Sequence, residues 1–259
     1  MKILFIGDIV GRPGRKAVRH LLPKLNSQNR YDLIVANAEN AAGGVGITPK
    51  VAVELFQLGI HVLTLGNHAW DKKDIIDFMV DEPRLIRPLN QPPGAPGRGY
   101  TVLSVAGRRV AVISLAGRVF APSMYDCPFR AMERALRELD CHLVLVDFHA
   151  EATSEKVAMG WYLAGRVSAV VGTHTHVQTA DERVLPGGTG YITDAGMTGP
   201  RDSVIGIKTE RVLEKFITQM PVRFEVAPGP AVLQGVELCF DDGSGKCISI
   251  TRLNREADV

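Results

Sequence analysis

The chain has 259 residues, 46% of them hydrophobic and 22% charged, with 30 basic against 28 acidic side chains. This composition suits an ordinary globular protein with a substantial core and gives no sign of disorder. A net charge of only +2 makes no general electrostatic case for nucleic acid or an anionic membrane, although a local basic patch is compatible with it. No apolar stretch approaches the roughly 20 residues that span a bilayer. The first apolar run, residues 3–6, is too short for a signal-peptide core, so a cytoplasmic location is expected. Cys127, Cys141, Cys239 and Cys247 have no CxxC spacing and read as reduced, buried, structural thiols.

Residues 2–6 form a β-rich run ending in Gly7 and Asp8, and the loop GRPGR leads into helical spacing over 15–25. A buried strand at 33–36 follows. The glycines of NAENAAGGVG then forbid a regular element until Thr48 and Pro49 open a helix as cap and first position, and Gly59 closes it. A third strand at 62–65 ends in GNHAWD and precedes a helix over 73–80. Prolines and glycines across 83–99 predict an irregular surface loop, and 100–105 with 109–115 an antiparallel hairpin. A helix over 129–139 returns the chain to a strand at 143–146 that ends in DFHAE. Thr153 and Ser154 are suited to cap a helix running to 164, which feeds the strand 169–171 before GTHTH. Beyond it the pattern predicts a short strand at 191–193, a loop at GMTGPRDS, a helix over 209–220 and three β-rich runs between 222 and 252. The order implies an α/β fold with a mixed sheet, or two packed mixed β-sheets, flanked by helices, and a single domain over 1–259.

Function is concentrated at the strand ends. In extended backbone, positions i and i+2 face one side, so His174 and His176 of GTHTH are placed to aim at one point. An isolated HxH is equally at home in a solvated loop, and each polar strand end taken alone reads as a cap or turn. The series is harder to dismiss: Asp8, then Glu39 and Asn40, then Asn67 and His68, then His149, then His174 and His176. These are the oxygen and nitrogen donors that hold divalent metals, and open α/β sheets gather such ends into one crevice. His20, His61 and His142 lie within or beside predicted elements and read as structural. Asp147 shares a strand face with His149 and either orients a ligand or caps a turn. Gly7, Gly11 and Gly14 do not keep GxGxxG spacing, and Asp8 would repel a pyrophosphate. Arg12, Arg15 and Arg201 sit in glycine-rich loops, either gripping phosphate or solvated.

This ordered series, with GNH and GTHTH in place, resembles that of the calcineurin-like metallophosphoesterases. GDIVGRPGR, NAENAAGG, LGNHAWD, DFHAEATSEK and DAGMTGP make the chain more similar still to the YmdB-like branch. The resemblance implies a four-layer αββα sandwich. It also implies two divalent ions, one held by Asp8, Glu39, Asn40 and His176, the other by Glu39, Asn67, His149 and His174, with Glu39 bridging. Asp8-Ile9-Val10 stands where the broader superfamily has DxH, and Glu39-Asn40 replaces its bridging aspartate, so one ion must be held differently. An amide oxygen in place of imidazole makes that site harder and weaker for late transition metals. The mixed donors suit iron or manganese first, with zinc and magnesium also compatible.

The chemistry implied is phosphodiester hydrolysis, with cyclic nucleotides, 2′,3′-cyclic and 3′,5′-cyclic, as the small-molecule substrates. Two adjacent cations would activate a bridging water as hydroxide for in-line attack, and His68 would protonate the leaving alkoxide or simply contact substrate. A phosphomonoesterase or nucleotidase on the same centre is the nearest rival. A regulatory metal-binding protein acting through a partner such as RNA or a ribonuclease is the rival from another class. No membrane partner is expected, and a homo-oligomer is compatible with the sequence.

Overall fold

The computed structural model describes residues 1–121 and 124–257. The chain opens with β1 (Lys2–Ile6), β2 (Asp8–Ile9), α1 (Gly11–Asn29), β3 (Leu33–Asn37), α2 (Pro49–Gln57), β4 (Val62–Thr64), α3 (Ile75–Asp81) and β5 (Leu85–Ile86). Its middle holds β6 (Tyr100–Val105), β7 (Arg108–Ala116), α4 (Pro128–Glu138), β8 (Leu143–His149), α5 (Thr153–Leu163) and β9 (Ala169–Thr173). It closes with β10 (Arg183–Leu185), β11 (Thr189–Ile192), β12 (Met197–Pro200), α6 (Thr209–Thr218), β13 (Ala231–Phe240) and β14 (Cys247–Ala257).

One sheet runs in the order β2, β12, β13, β1, β3, β4, β5, with β14 paired to β13; the other runs β10, β11, β9, β8, β7, β6. Neighbours from β1 to β5 are parallel, as are those from β11 to β7, while hairpin partners at β13–β14, β6–β7 and β10–β11 are antiparallel. Both sheets are therefore mixed.

Alternation along the strands decides what each face meets. Ile3, Phe5, Leu33 and Val35 from the first sheet pack with Val110, Val112, Leu143 and Leu145 from the second, so one core lies between the sheets. The intervening Leu4, Ile6, Ile34 and Ala36 meet Val18 and Leu22 of α1, Leu55 of α2 and Met79 of α3. On the far side Ala111, Ile113, Val144 and Val146 meet Met132 of α4 and Met159 of α5. The layers are αββα, and Thr48 caps α2 as expected by accepting from Val51 N at 3.4 Å.

Several local expectations are corrected. GRPGR is the first turn of α1 and not a loop, because Pro13 falls in the turn that has no use for its missing N–H. Gly14 is demanded by packing: a Cβ there would stand 2.2 Å from Thr198 O. GMTGPRDS contains β12, whose glycine and proline disguise a short strand that pairs with both β2 and β13. The loop 83–99 contains β5 as an edge strand beside β4, and β10 was not anticipated either. Helix α5 is preceded by Ala152 and has no side-chain cap, so Thr153 and Ser154 do not serve as predicted. Of the three β-rich runs, two are strands, and Val226 contributes only an isolated bridge to Ile207. All four cysteines are free, but only Cys247 is buried, the other three being partly exposed.

Candidate metal centre

The ends of β3 and β4 in one sheet and of β8 and β9 in the other deliver the polar series to one place. Asp8, fully buried, is fixed by the pairing of β2 with Met197 of β12. Glu39 and Asn40 follow β3 in a turn where Glu39 N donates to Asn37 Oδ1 at 3.1 Å. Asn67 and His68 follow β4, His149 ends β8, and His174 and His176 follow β9.

His149 Nε2 is the meeting point. Glu39 Oε1 lies 2.8 Å from it, His174 Nδ1 2.9 Å and Asn67 Oδ1 3.0 Å. Surrounding groups decide where the protons sit. The single proton of Thr173 Oγ1 goes to Asp147 Oδ1 at 2.7 Å, so that oxygen accepts from His149 Nδ1–H at 2.9 Å and Nε2 is left bare. Glu151 Oε2, 3.0 Å from His174 Nε2, favours the proton on that nitrogen and leaves Nδ1 bare. Lone pairs from two imidazoles, a carboxylate and an amide thus converge, an arrangement that a divalent cation satisfies. Asp147, which also accepts from Thr64 Oγ1 and from Asn37 Nδ2 at 3.0 Å, orients His149 through Thr173 and caps no turn.

A second group lies beside the first. His176 Nδ1–H donates to Ile205 O at 2.9 Å, which leaves Nε2 bare, 3.7 Å from Asp8 Oδ1 and 3.1 Å from the Asn40 amide nitrogen. Turning that amide over presents Oδ1 instead. Two buried side-chain oxygens, Asp8 Oδ1 and Glu39 Oε1, have no hydrogen-bond donor among the described residues. Glu39 Oε1 is near His149 Nε2 but out of line with any ring proton. Orphaned buried carboxylate oxygens are rare because their lost hydration is not replaced. One such oxygen in each group is what a pair of cation sites requires, so the donor set fits the expected metals.

The electrostatics agree. Burial works to lower the His149 pKa, but the carboxylates of Glu39, Asp8 and Asp147 outweigh it and push it up to about 9. Burial likewise works to raise Glu39, yet His149 and His68 bring it down to about 2. Burial and the neighbouring His149 charge lower His174 to about 3. Burial raises Asp8, against the pull of His176 and His149. The carboxylates of Glu39, Asp8 and Asp147 thus favour positive charge here, which a bound cation would supply in place of a proton on His149 Nε2.

GTHTH does not work as alternation predicts. Strand β9 stops at Thr173, and His174 and His176 have φ of 99° and 63°, a region uncommon for side-chain-bearing residues and costing about 1–3 kcal/mol each. The turn aims the two rings at different groups. It is held by Asp8 Oδ2, which accepts from His174 N at 3.2 Å, and by Asp194 Oδ2, which accepts from Thr175 N at 3.0 Å and Thr175 Oγ1 at 2.6 Å. Asp194 is in turn paired at 2.7 Å with Lys156 Nζ, and both side chains are buried. Gly66 of GNH allows the close approach of loop and ligands, since a Cβ there would lie 2.1 Å from His149 Cδ2 and 2.4 Å from Glu39 Oε2.

His68 stands at the mouth of a cavity of about 420 Å³ that Glu39, Asn40, His174 and His176 also line. Its Nδ1–H donates to Asp71 Oδ2 at 2.7 Å, leaving Nε2 as the atom able to exchange a proton. Arg15 is engaged with Glu54 and Ala41 O, and Arg201 with Asp202 and Glu256, so neither is aimed at this cavity. A larger cavity, about 1000 Å³, runs along β6 and the proline-rich loop and contains none of the donor series.

Sequence reading missed Asp71, Glu151, Thr173, Lys156 and Asp194. Lys156 carried a signal: it falls at helical spacing with the small and apolar Met159, Gly160 and Leu163 of α5, where a buried charge requires a partner.

The model of the YmdB-like protein family matches residues 4–253. A Bacillus subtilis (strain 168) protein named 2′,3′-cyclic-nucleotide 2′-phosphodiesterase is 50% identical over 98% of this chain and 96% of its own. A Thermus thermophilus crystal structure, described as a hypothetical protein, superposes with a TM-score of 0.94 at 45% identity over 99% of both chains. A Mycoplasma pneumoniae crystal structure described as a novel phosphatase gives 0.95 at 35% identity, over 100% of this chain and 94% of that one. With the family model matched over residues 4–253 and a relative 50% identical along nearly the whole length, the chain belongs to the YmdB-like family.

Proposed function

We propose that this chain is a metal-dependent phosphodiesterase acting on cyclic nucleotides, 2′,3′-cyclic ones first. The observation that carries the reading is the convergence of three donors, Glu39 Oε1, His174 Nδ1 and Asn67 Oδ1, on His149 Nε2, with orphaned Asp8 Oδ1 and Glu39 Oε1 close by and Glu39 lining an open cavity. Asp8, Glu39, Asn40 and His176 would hold one divalent cation and Glu39, Asn67, His149 and His174 another. When bound, such ions supply Lewis acidity toward phosphate oxygens and a water activated near neutral pH. His68, anchored by Asp71, exchanges a proton with the leaving sugar oxygen through Nε2. The name of the Bacillus subtilis relative supports the substrate class. The continuous core between the sheets supports one domain over the full length.

The Mycoplasma pneumoniae neighbour is described as a phosphatase, which favours monoester hydrolysis as the second reading. Elemental analysis of the purified protein, followed by assay against 2′,3′- and 3′,5′-cyclic nucleotides and aryl phosphate mono- and diesters, tests both. Two equivalents of metal and preference for the cyclic diesters are expected. A clear monoester preference would favour the phosphatase, and a fully active metal-free protein would refute the centre.

A further inference from the structure

A second cavity, about 540 Å³, adjoins the metal-centre cavity and shares Gly43 and Phe224 with it as a common wall. Its lining is basic: Arg12 at the start of α1, Lys208 before α6, and Arg223. Against them stands Glu225, which is paired with Lys208 Nζ at 2.7 Å. Arg12 and Arg223 are exposed and form no ion pair among the described residues. Lys215 Nζ, 5.2 Å from the centroid of the Phe224 ring, adds a further cation at this wall. Two guanidinium groups outside any ion pair thus stand beside the cavity that Glu39 and Glu151 line.

The segment carrying Arg223 and Phe224 is fixed. Lys208 N donates to Glu225 O and Ala227 N to Gly206 O, both at 2.9 Å, which ties it to the chain entering α6. Val226 packs where only glycine leaves room: a Cβ on Gly44 would come within 2.7 Å of it and one on Gly11 within 3.1 Å. Gly11 opens α1 directly after the β2 strand that carries Asp8, and both Gly11 N and Gly44 N donate to Asn40 O, at 2.8 and 3.1 Å. The backbone that carries the basic cavity is therefore packed against the same segments that carry Asp8 and Asn40.

The geometry points to a phosphate subsite at Arg12 and Arg223 that binds the phosphate on the 5′ oxygen of a nucleotide whose 2′,3′-cyclic end occupies the metal cavity. The preferred substrate class is then an oligoribonucleotide ending in a 2′,3′-cyclic phosphate, with Phe224 as an aromatic wall between terminal nucleotide and preceding phosphate. This rests on the phosphodiesterase reading above and extends it. Guanidinium groups match phosphate oxygens in forked geometry, and an unpaired arginine has no carboxylate to give up on binding. Base-on-aromatic contact would add affinity without sequence preference.

Calorimetric binding to the metal-loaded His68→Ala protein, which slows turnover, tests the subsite with two ligands. These are a ribodinucleotide ending in a 2′,3′-cyclic phosphate and the matching 2′,3′-cyclic mononucleotide. The dinucleotide is expected to bind about tenfold tighter, the effect of one charge-assisted phosphate contact. In Arg12→Gln/Arg223→Gln on the same background that advantage should disappear, and with it the steeper salt dependence of the dinucleotide. A mononucleotide carrying an added 5′-phosphate tells a terminal phosphate from an internucleotide one, and a gain by either supports the site and names its source. Equal affinity for dinucleotide and mononucleotide, an advantage that survives the double substitution, or no binding of either overturns the subsite. Turnover of the mononucleotide by wild-type protein is read separately, so loss of the phosphodiesterase reading and loss of the subsite are distinguishable.

Discussion

Lys156→Met tests whether a buried ion pair holds the GTHTH turn. Lys156 and Asp194 side chains are 1% and 0% exposed and 2.7 Å apart. Methionine occupies most of the volume of the lysine stem, so the substitution chiefly removes charge. Asp194 keeps Thr175 N, Thr175 Oγ1 and Gly196 N as donors but loses its cation. Removing one partner of a buried pair costs about 3–5 kcal/mol, and three surviving hydrogen bonds place this case near the lower end, at ~3 kcal/mol. In a chain of this size that lowers Tm by roughly 6–12 °C. Urea unfolding of the metal-free protein at neutral pH measures it, as a lower midpoint with unchanged slope. Metal titration measures the second consequence: Thr175 stands between His174 and His176, both in left-handed backbone, so loosening its anchor should weaken metal binding. Asp194→Leu should cost more, because Thr175 N and Gly196 N lose their acceptor while Lys156 loses its anion. The double variant should lose less than the sum of the two. A loss under about 1 kcal/mol for Lys156→Met, within the ordinary range for a point substitution, together with unchanged metal affinity, would refute the bracing role.

Four further substitutions probe the centre. Thr173→Val keeps shape but leaves His149 Nδ1–H without its acceptor and Asp147 short of a donor, so metal affinity should fall about 10- to 100-fold; affinity equal to wild type would remove Thr173 from the relay. Gly66→Ala drives a methyl group between His149 and Glu39, and the purified protein should keep its far-UV circular dichroism while losing metal and about 1–3 kcal/mol of stability. Full metal content in that variant would mean the loop yields where the packing says it cannot. His68→Ala should retain both metals and lose turnover by about 10²–10⁴-fold, with Asp71→Asn intermediate, and normal turnover in His68→Ala would reject its proton-transfer role.

The strand ends were legible because position along a chain is a local property. Short continuous apolar runs announced β1, β3, β4, β8 and β9, and a polar residue after each such run stands at a strand end whatever the packing. Elements whose residues speak against their conformation were not legible. Met197–Pro200 is a strand only because β2 and β13 flank it, and Gly11–Arg15 is helical only because the first turn tolerates proline. Alternation alone would aim both GTHTH histidines at one point, and only the resemblance divided them between two ions: extended alternation is the local default, and left-handed φ at two histidines is held by acceptors from Asp8 and Asp194, far away in the chain.

By itself the sequence determined which donors exist, their order and an α/β fold of mixed sheets flanked by helices, since these follow from residue type and from periods of 2 and 3.6; the αββα layering came from the family resemblance. Only the tertiary structure decided which imidazole nitrogen each ring turns inward and what braces the rings. Those depend on hydrogen bonds between residues far apart in the chain, Thr173 with Asp147, His68 backbone with Glu39, and Lys156 with Asp194. The adjoining basic cavity belongs to the same class, because Arg12 and Arg223 become neighbours of one pocket only when Val226 settles against Gly11 and Gly44.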